Sequence, residues 1–287
     1  MLTSPFTSSP CPLVDARDRV FAVLAGRPRD AQEWSDINEK AMEAFEEARA
    51  KLKLTEKQTA NRRGDYAAVS VGISFGGGQT RPANFSLTGK KEAAVKTLLS
   101  NRAVRRLAGF GNSCMMLFAA RLYTYYKETL TQLQQADGSL RRNFEDNVFA
   151  AATFNLGPQV VTVPHTDHMN IPAGWCAITA LGRYDHTAGG HLLLWDLKLM
   201  IEFPPGALIL IPSAILCHSN TAIAPHERRY SFTQYSAGGL FRWVECGCKT
   251  QKDFFNEGGA YVVDGEERWR RGLEMFSTLQ ELRANSC

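Results

Sequence analysis

The chain has little that would direct it to a membrane or to an oxidising compartment. No apolar run approaches the roughly 20 residues needed to cross a bilayer, and the longest runs are broken by a Pro or a charge. The first residues, MLTSPFTSSPCPLVDARDRV, lack a basic start followed by an apolar stretch, so no secretory signal is expected. Cysteine is sparse and odd in number, at seven. Only Cys246-Gly-Cys248 is a close pair, and nothing after it completes a zinc site. Free thiols in a reducing, intracellular setting are the expectation. There is no internal repeat, and low complexity is confined to the first residues. What remains is a 287-residue chain with 44% apolar and 22% charged residues. That is ordinary for a globular protein and enough for one large domain or two small ones.

The net charge of +4 is small but unevenly spread. Residues 29–50 hold seven acidic and three basic side chains, and residues 51–110 hold twelve basic and three acidic ones. Such asymmetry points either to a polyanionic partner or to a solvated basic face.

Residues 1–20 are rich in Ser, Thr and Pro and are expected to be loose. A helix is expected over Trp34–Leu54, where Trp34, Ile37, Ala41, Phe45, Ala48 and Leu52 recur at three- and four-residue steps. Val69 to Gln79 reads as a short strand running into a Gly-rich loop. Helices follow over Lys90–Leu107 and Met115–Gln135. After Gly138 the texture changes to short β-branched and apolar runs between Gly and Pro turns: Val148–Leu156, Val160–Val163, Trp175–Leu181, His191–Trp195, Ala207–Ile211 and Arg229–Tyr235. That spacing suggests a sandwich or jelly roll. A last helix is expected over Glu266–Leu282. The α+β architecture is thus an N-terminal helical region with a basic Gly-rich loop (1–137) packed on a β core with a C-terminal helix (138–287), together one catalytic unit and a monomer.

Val163-Pro-His165-Thr-Asp167 carries the chemistry. On a strand of period two, His165 and Asp167 share a face and converge on one point. A second His would complete a facial triad of two His and one carboxylate, which leaves three positions of Fe(II) open. His218 is the candidate, since it follows the apolar run Ala207–Ile211 and a Pro turn. His186 and His191 flank Gly189-Gly190 and are expected to be exposed. His168 and His226 lie beside the proposed site and are candidates for supporting or substrate-contacting roles. Downstream, alternation along Arg229–Tyr235 puts Arg229, Ser231, Thr233 and Tyr235 on one face and Arg228 on the other. A guanidinium takes a carboxylate in two hydrogen bonds and a nearby hydroxyl adds a third. Arg229 and Ser231 therefore suit the distal carboxylate of 2-oxoglutarate.

His165-Thr-Asp167, His218 and Arg229-Tyr-Ser231 together resemble the double-stranded β-helix (jelly-roll) core of Fe(II)/2-oxoglutarate-dependent dioxygenases. More narrowly, His165-Thr-Asp-His-Met-Asn170-Ile-Pro-Ala-Gly174 is similar to the TET/JBP family, which oxidises methylated DNA bases. Arg62-Arg-Gly-Asp-Tyr and Gly76-Gly-Gly-Gln79 give the chain the texture of compact, transposon-associated fungal members. The resemblance implies Fe(II) as metal, 2-oxoglutarate as co-substrate and a flipped-out base in methylated duplex DNA as substrate. It implies a nuclear protein. It makes Asn170, three positions after the ligand Asp, a contact to the base, and Tyr235, six positions after Arg229, the ring that stacks on it. Read without the resemblance, Asn170 is a turn residue and Tyr235 a half-buried core residue. Animal TET enzymes carry a Cys-rich zinc module and a long low-complexity insert, both absent here. Where they place a base-contacting His, this chain has Ala237, which leaves 5-methylcytosine and N6-methyladenine both open. Arg62, Arg63, Arg81, Lys90 and Lys91 are candidate phosphate contacts, with Gln79 filling the gap of a flipped base; alternatively, the Gly-rich loop only covers the barrel mouth. An oxygenase of the same fold acting on a peptide or metabolite, or an inactive DNA-binding relative, are the competing functions.

Overall fold

A computed structural model describes residues 9–55 and 59–284. The expectation for residues 1–8, and Lys57 of the basic stretch, lie outside the described residues.

Thirteen strands and eight helices are formed among the described residues. The strands are β1 (Cys11–Val14), β2 (Val20–Gly26), β3 (Ala60–Asn61), β4 (Gly64–Asp65), β5 (Ala68–Ser74), β6 (Ala83–Asn84), β7 (Ala151–Asn155), β8 (Cys176–Arg183), β9 (Leu192–Leu194), β10 (Leu199–Ile201), β11 (Leu208–Ile211), β12 (His218–Asn220) and β13 (Arg228–Tyr235). The helices are α1 (Ala31–Leu52), α2 (Gly89–Ser100), α3 (Arg102–Phe118), α4 (Ala120–Ala136), α5 (Gly238–Glu245), α6 (Gln251–Asn256), α7 (Gly265–Glu274) and α8 (Leu279–Ala284).

An eight-stranded sheet in the order β1-β2-β11-β8-β13-β7-β5-β6 is joined by a three-stranded sheet β10-β9-β12. All these pairings are antiparallel. Ala22, Leu24, Ala180, Leu192, Leu194, Ile201, Phe203, Ile209 and Ile211 form one buried apolar cluster that joins strands of both sheets. This is the double-stranded β-helix, with helices packed on the large sheet.

The apolar stripe of α1 explains its docking. Trp34, Ile37, Ala41, Phe45, Ala48 and Leu52 are all buried. Phe45 meets the rings of Phe154 (5.5 Å) and Tyr230 (6.2 Å) edge-on. Burying a ring of this size contributes roughly 1.5–3 kcal/mol. Trp34 Nε1 donates to Gly206 O at 2.8 Å and Asn38 Nδ2 to Gly182 O at 3.0 Å, so polar atoms entering the interface are satisfied. Asp30 caps the helix by accepting from Glu33 N at 2.9 Å.

The structure departs from the sequence reading in several places. The segment thought loose contains β1, paired to β2, and β2 in turn pairs β11. Four of the eight strands, β1, β2, β5 and β6, come from the N-terminal half, so the large sheet crosses the boundary drawn at residue 137. The two helices expected between Lys90 and Gln135 are three. Asn101 has extended backbone, and its side chain accepts from Ala103 N and Val104 N, which ends one helix and caps the next. Ala119 breaks the chain again at φ −145°. Val160–Val163 is not a ladder strand. Asn220 bonds it with its side chain: Nδ2 donates to Val160 O (3.0 Å) and Oδ1 accepts from Thr162 N (3.0 Å). The terminal helix is broken between α7 and α8, where Phe276 is buried and stacks on Trp175 at 6.0 Å. Helices α5 and α6 were not expected at all.

Candidate active site

His165 and His218 are a directly paired couple. His165 N donates to His218 O (3.1 Å) and His218 N to His165 O (2.9 Å). Their rings lie 4.3 Å apart, centroid to centroid. Asp167 joins them because its N–H donates to Ser213 O at 2.8 Å and its own carbonyl accepts from Asn170 N at 2.8 Å, which closes a tight turn. One ligand atom from each of the three side chains lies within 4.8 Å of the other two. The convergence owes less to strand alternation than expected, because the segment is regular only at the His165–His218 bridge.

The donor set fits a hard-to-borderline divalent ion such as Fe(II). His165 Nδ1 lies 2.7 Å from Val163 O and His218 Nδ1 lies 2.9 Å from Leu216 O. A carbonyl only accepts, so both Nδ1 atoms carry the proton and both Nε2 lone pairs are free for a metal. Burial, reinforced by His218, pushes His165 down to about 4; burial likewise lowers His218. Both imidazoles are therefore neutral ligands near neutral pH.

Arg229 is 3% exposed. Nη1 donates to Val160 O at 3.1 Å, while buried Nε has no partner. Its guanidinium lies 5.9 Å from the Tyr184 ring centroid. No acidic side chain pairs with it among the described residues. A buried cation without a counter-ion is a costly arrangement that an incoming carboxylate would relieve. Arg228 is exposed and pairs with Glu46 at 3.5 Å on the opposite side. Ser231 is buried, and its Oγ accepts from Asn155 Nδ2 at 2.8 Å. That bond uses an oxygen lone pair and leaves the Ser231 proton free to donate.

Beside Asp167 opens a cavity of about 260 Å³. Arg62, Arg63, Gln79, Asn170 and Tyr235 all line it, together with Thr153, Asn155, Met169 and Thr233. Residues far apart in sequence are thus brought to one hollow. Arg62 and Gln79 are exposed at its rim. Tyr235 is mostly enclosed, and burial raises its phenol.

Other placements differ from expectation. Arg63, read as a phosphate contact, pairs with the Asp167 carboxylate, and its carbonyl accepts from Val163 N at 2.9 Å. Arg81 does not line the cavity; its charge acts on Asp137. Lys90 and Lys91 are exposed in the first turn of α2, away from the cavity lining. His186 and His191 are half-buried rather than exposed. His186 Nδ1 lies 3.5 Å from Glu202 and His191 Nδ1 lies 3.3 Å from Thr221 Oγ1. His168 and His226 are exposed and outside the metal-ligating group.

Sequence reasoning missed Tyr66, Ser213 and Cys176. Tyr66 is 4% exposed, and its phenol is pushed up to about 12 by burial, with Arg63, Arg229 and Asp167 as its charged neighbours. Its only signal was the Arg62-Arg-Gly-Asp-Tyr66 string. Ser213 and Cys176 left none.

No protein-family profile matches the chain, and no curated protein matches it. Its structural neighbours do include 2-oxoglutarate/Fe(II) oxygenases. It is similar to NgTET1 in complex with 5mC DNA, at TM-score 0.48 and 14% identity, over 85% of this chain and 82% of that one. It is similar to a 2OG-Fe(II) oxygenase family oxidoreductase from Burkholderia pseudomallei, at TM-score 0.36 and 17% identity, over 72% and 80%. OsALKBH1 gives TM-score 0.36 at 10% identity, over 69% and 92%.

Proposed function

We propose that the chain is an Fe(II)- and 2-oxoglutarate-dependent dioxygenase that oxidises the methyl group of a methylated DNA base, 5-methylcytosine foremost and N6-methyladenine as the second candidate. The carrying observation is a juxtaposition. A His165–Asp167–His218 triad with both Nδ1 protons fixed lies in the same core as a buried, acid-free Arg229, and it adjoins a base-sized hollow rimmed by Arg62.

His165, Asp167 and His218 would hold the metal, and Arg229 with Ser231 would hold the distal carboxylate of 2-oxoglutarate. Bound together, they would supply the oxidation, in which one atom of O2 would enter succinate with loss of CO2 and the other would convert the methyl group to hydroxymethyl. The chain's own part is binding, orientation and exclusion of water. A base in a duplex cannot reach a buried metal, so it must be flipped out. Tyr235 offers a ring to stack on, Asn170 an amide for its edge, and Gln79 a side chain at the rim for the vacated stack. Arg62, exposed on the cavity lining, would meet the backbone. The protein would act in the nucleus, as a monomer.

The test is nucleoside mass spectrometry after incubation with Fe(II), 2-oxoglutarate and duplexes that carry 5-methylcytosine, N6-methyladenine or no methylated base. Succinate and an oxidised base appearing together only with a methylated duplex is the expected result. Turnover that responds to peptides or small metabolites and not to DNA would refute it.

A further inference from the structure

Among the described residues, Tyr66, Tyr126, Tyr184 and Tyr230 are the buried tyrosines. A buried phenol ordinarily finds a hydrogen-bond partner. Tyr126 donates to Trp175 O at 3.4 Å, Tyr184 to Phe203 O, and Tyr230 to a Glu46 carboxylate oxygen at 2.6 Å. Tyr66 is equally enclosed, yet its hydroxyl is bonded to no described residue. The residue is nevertheless held in place. Asn61 Nδ2 donates to its carbonyl at 3.0 Å, and Leu156 N donates to the carbonyl of Ala67 beside it at 2.7 Å. Its ring lies against Gly64: a Cβ there would stand 2.9 Å from Tyr66 Cε1 and 2.3 Å from Val161 O. That contact, at φ +152°, requires glycine. The β3–β4 hairpin thereby lays Tyr66 along the Val160–Val161 backbone, and Val160 O is the group that holds Arg229 Nη1 at 3.1 Å. Two residues further on, Ala68 pairs with Asn155, and Asn155 pairs with Ser231. The charged neighbours of the phenol are Arg63, Arg229 and Asp167.

We propose that Tyr66 is a third group on the distal carboxylate of 2-oxoglutarate, donating its hydroxyl hydrogen there beside Arg229 and Ser231. This rests on the co-substrate reading above and adds to that site a residue from the N-terminal half of the chain. A carboxylate offers about four lone-pair positions, so Arg229 and Ser231 leave room for a further donor. Burial holds the phenol up at about 12, so it keeps its hydrogen across the working pH range. It also adds a hydrogen bond without adding a second buried cation beside Arg229. The competing groups are spent: Arg63 pairs with Asp167, the one acid among the charged neighbours of the phenol, and Asp167 would also hold the metal.

Tyr66→Phe deletes the hydroxyl and keeps the ring that packs on Gly64. Calorimetry on the Mn(II)-loaded protein compares two probes. One is 2-oxoglutarate; the other is 2-oxovalerate, which keeps the keto-acid end and replaces the distal carboxylate with a methyl group. Tyr66→Phe should weaken 2-oxoglutarate roughly tenfold or more, the loss expected for a hydrogen bond to a charged group. It should leave the affinities for 2-oxovalerate and for Mn(II) alone as in wild type. The ratio of the two dissociation constants therefore falls by the same factor. Both constants come from one preparation, so a partly unfolded variant does not change their ratio. A ratio equal to wild type, whether both probes weaken together or neither does, overturns the proposal and leaves the dioxygenase reading intact. If the wild-type Mn(II) protein binds no 2-oxoglutarate, the co-substrate reading fails, and the proposal with it.

Discussion

Replacing Arg229 with Leu separates the co-substrate clamp from the scaffold. Arg229 is buried, its guanidinium meets Val160 O and the Tyr184 phenol, its Nε has no partner, and no acid pairs with it among the described residues. A charge-assisted pair with a carboxylate contributes about 1.5–3 kcal/mol, so its loss should weaken 2-oxoglutarate roughly 10- to 150-fold. Thermal shift with Mn(II), which binds without turnover, reads this directly. At 2-oxoglutarate a hundredfold above its wild-type dissociation constant, the native chain gains about 2.7 kcal/mol. At roughly 2–4 °C per kcal/mol, that is a rise of about 5–10 °C. In Arg229→Leu the same concentration should add only about 0.3–1.4 kcal/mol. Without ligand the variant should melt no lower than wild type, because relief from an uncompensated buried cation offsets the lost Val160 bond. Arg228→Leu removes an exposed ion pair of about 0–1 kcal/mol and should keep the full ligand shift. An undiminished shift in Arg229→Leu, or equal loss in Arg228→Leu, would refute the assignment.

His165→Ala, Asp167→Ala and His218→Ala should each abolish turnover and sharply weaken Mn(II) binding by calorimetry, whereas His191→Ala and His226→Ala should not; a His218→Ala protein that still binds the metal tightly removes it from the triad. Tyr235→Ala should slow methyl oxidation far more than uncoupled 2-oxoglutarate decarboxylation, since stacking on an aromatic ring is worth about 1–3 kcal/mol per base. Equal slowing of both would place Tyr235 with the co-substrate instead. Arg62→Ala should lower the slope of log affinity against log salt by about 0.9 for methylated and unmethylated duplex alike. Arg63→Ala, by contrast, should change metal binding, and an Arg63→Ala effect confined to the salt slope would contradict its contact with Asp167.

How much of this was readable from sequence depended on whether a segment obeys a period. Arg229–Tyr235 did, because β13 is paired on both sides, to β8 and β7, and a ladder of that length forces strict alternation. Arg228 and Arg229 therefore separate as read. The His165–Asp167 pair was found through a strand argument, yet its convergence comes from a single bridge and the turn Asp167–Asn170. Strand β2 was overlooked although Val20–Gly26 is almost wholly buried, because a continuous apolar run carries no alternation to detect. The contact of Arg63 with Asp167 could not be read at all. It spans 104 residues and depends on the turn between β3 and β4.

Charge runs were the least transferable signal, and the structure shows the reason. The acidic segment lies mostly on α1, where Glu33 meets Arg106, Glu39 meets Arg183, Glu46 meets Arg228 and Glu47 meets Lys51. Two of those partners, Lys51 and Arg106, belong to the basic stretch, so part of its excess is cancelled inside the fold rather than offered to a partner. Arg63 is spent on the metal ligand, and Arg81 lies close enough to Asp137 to lower its carboxyl. Arg62, Lys90 and Lys91 form no ion pair among the described residues. Of these, only Arg62 is at the cavity. The unpaired positive charge at the mouth thus rests on far fewer cations than the count along the chain implies. Under the proposed function, positioning of a base would then fall chiefly to the hollow itself, where Tyr235 and Asn170 line the wall.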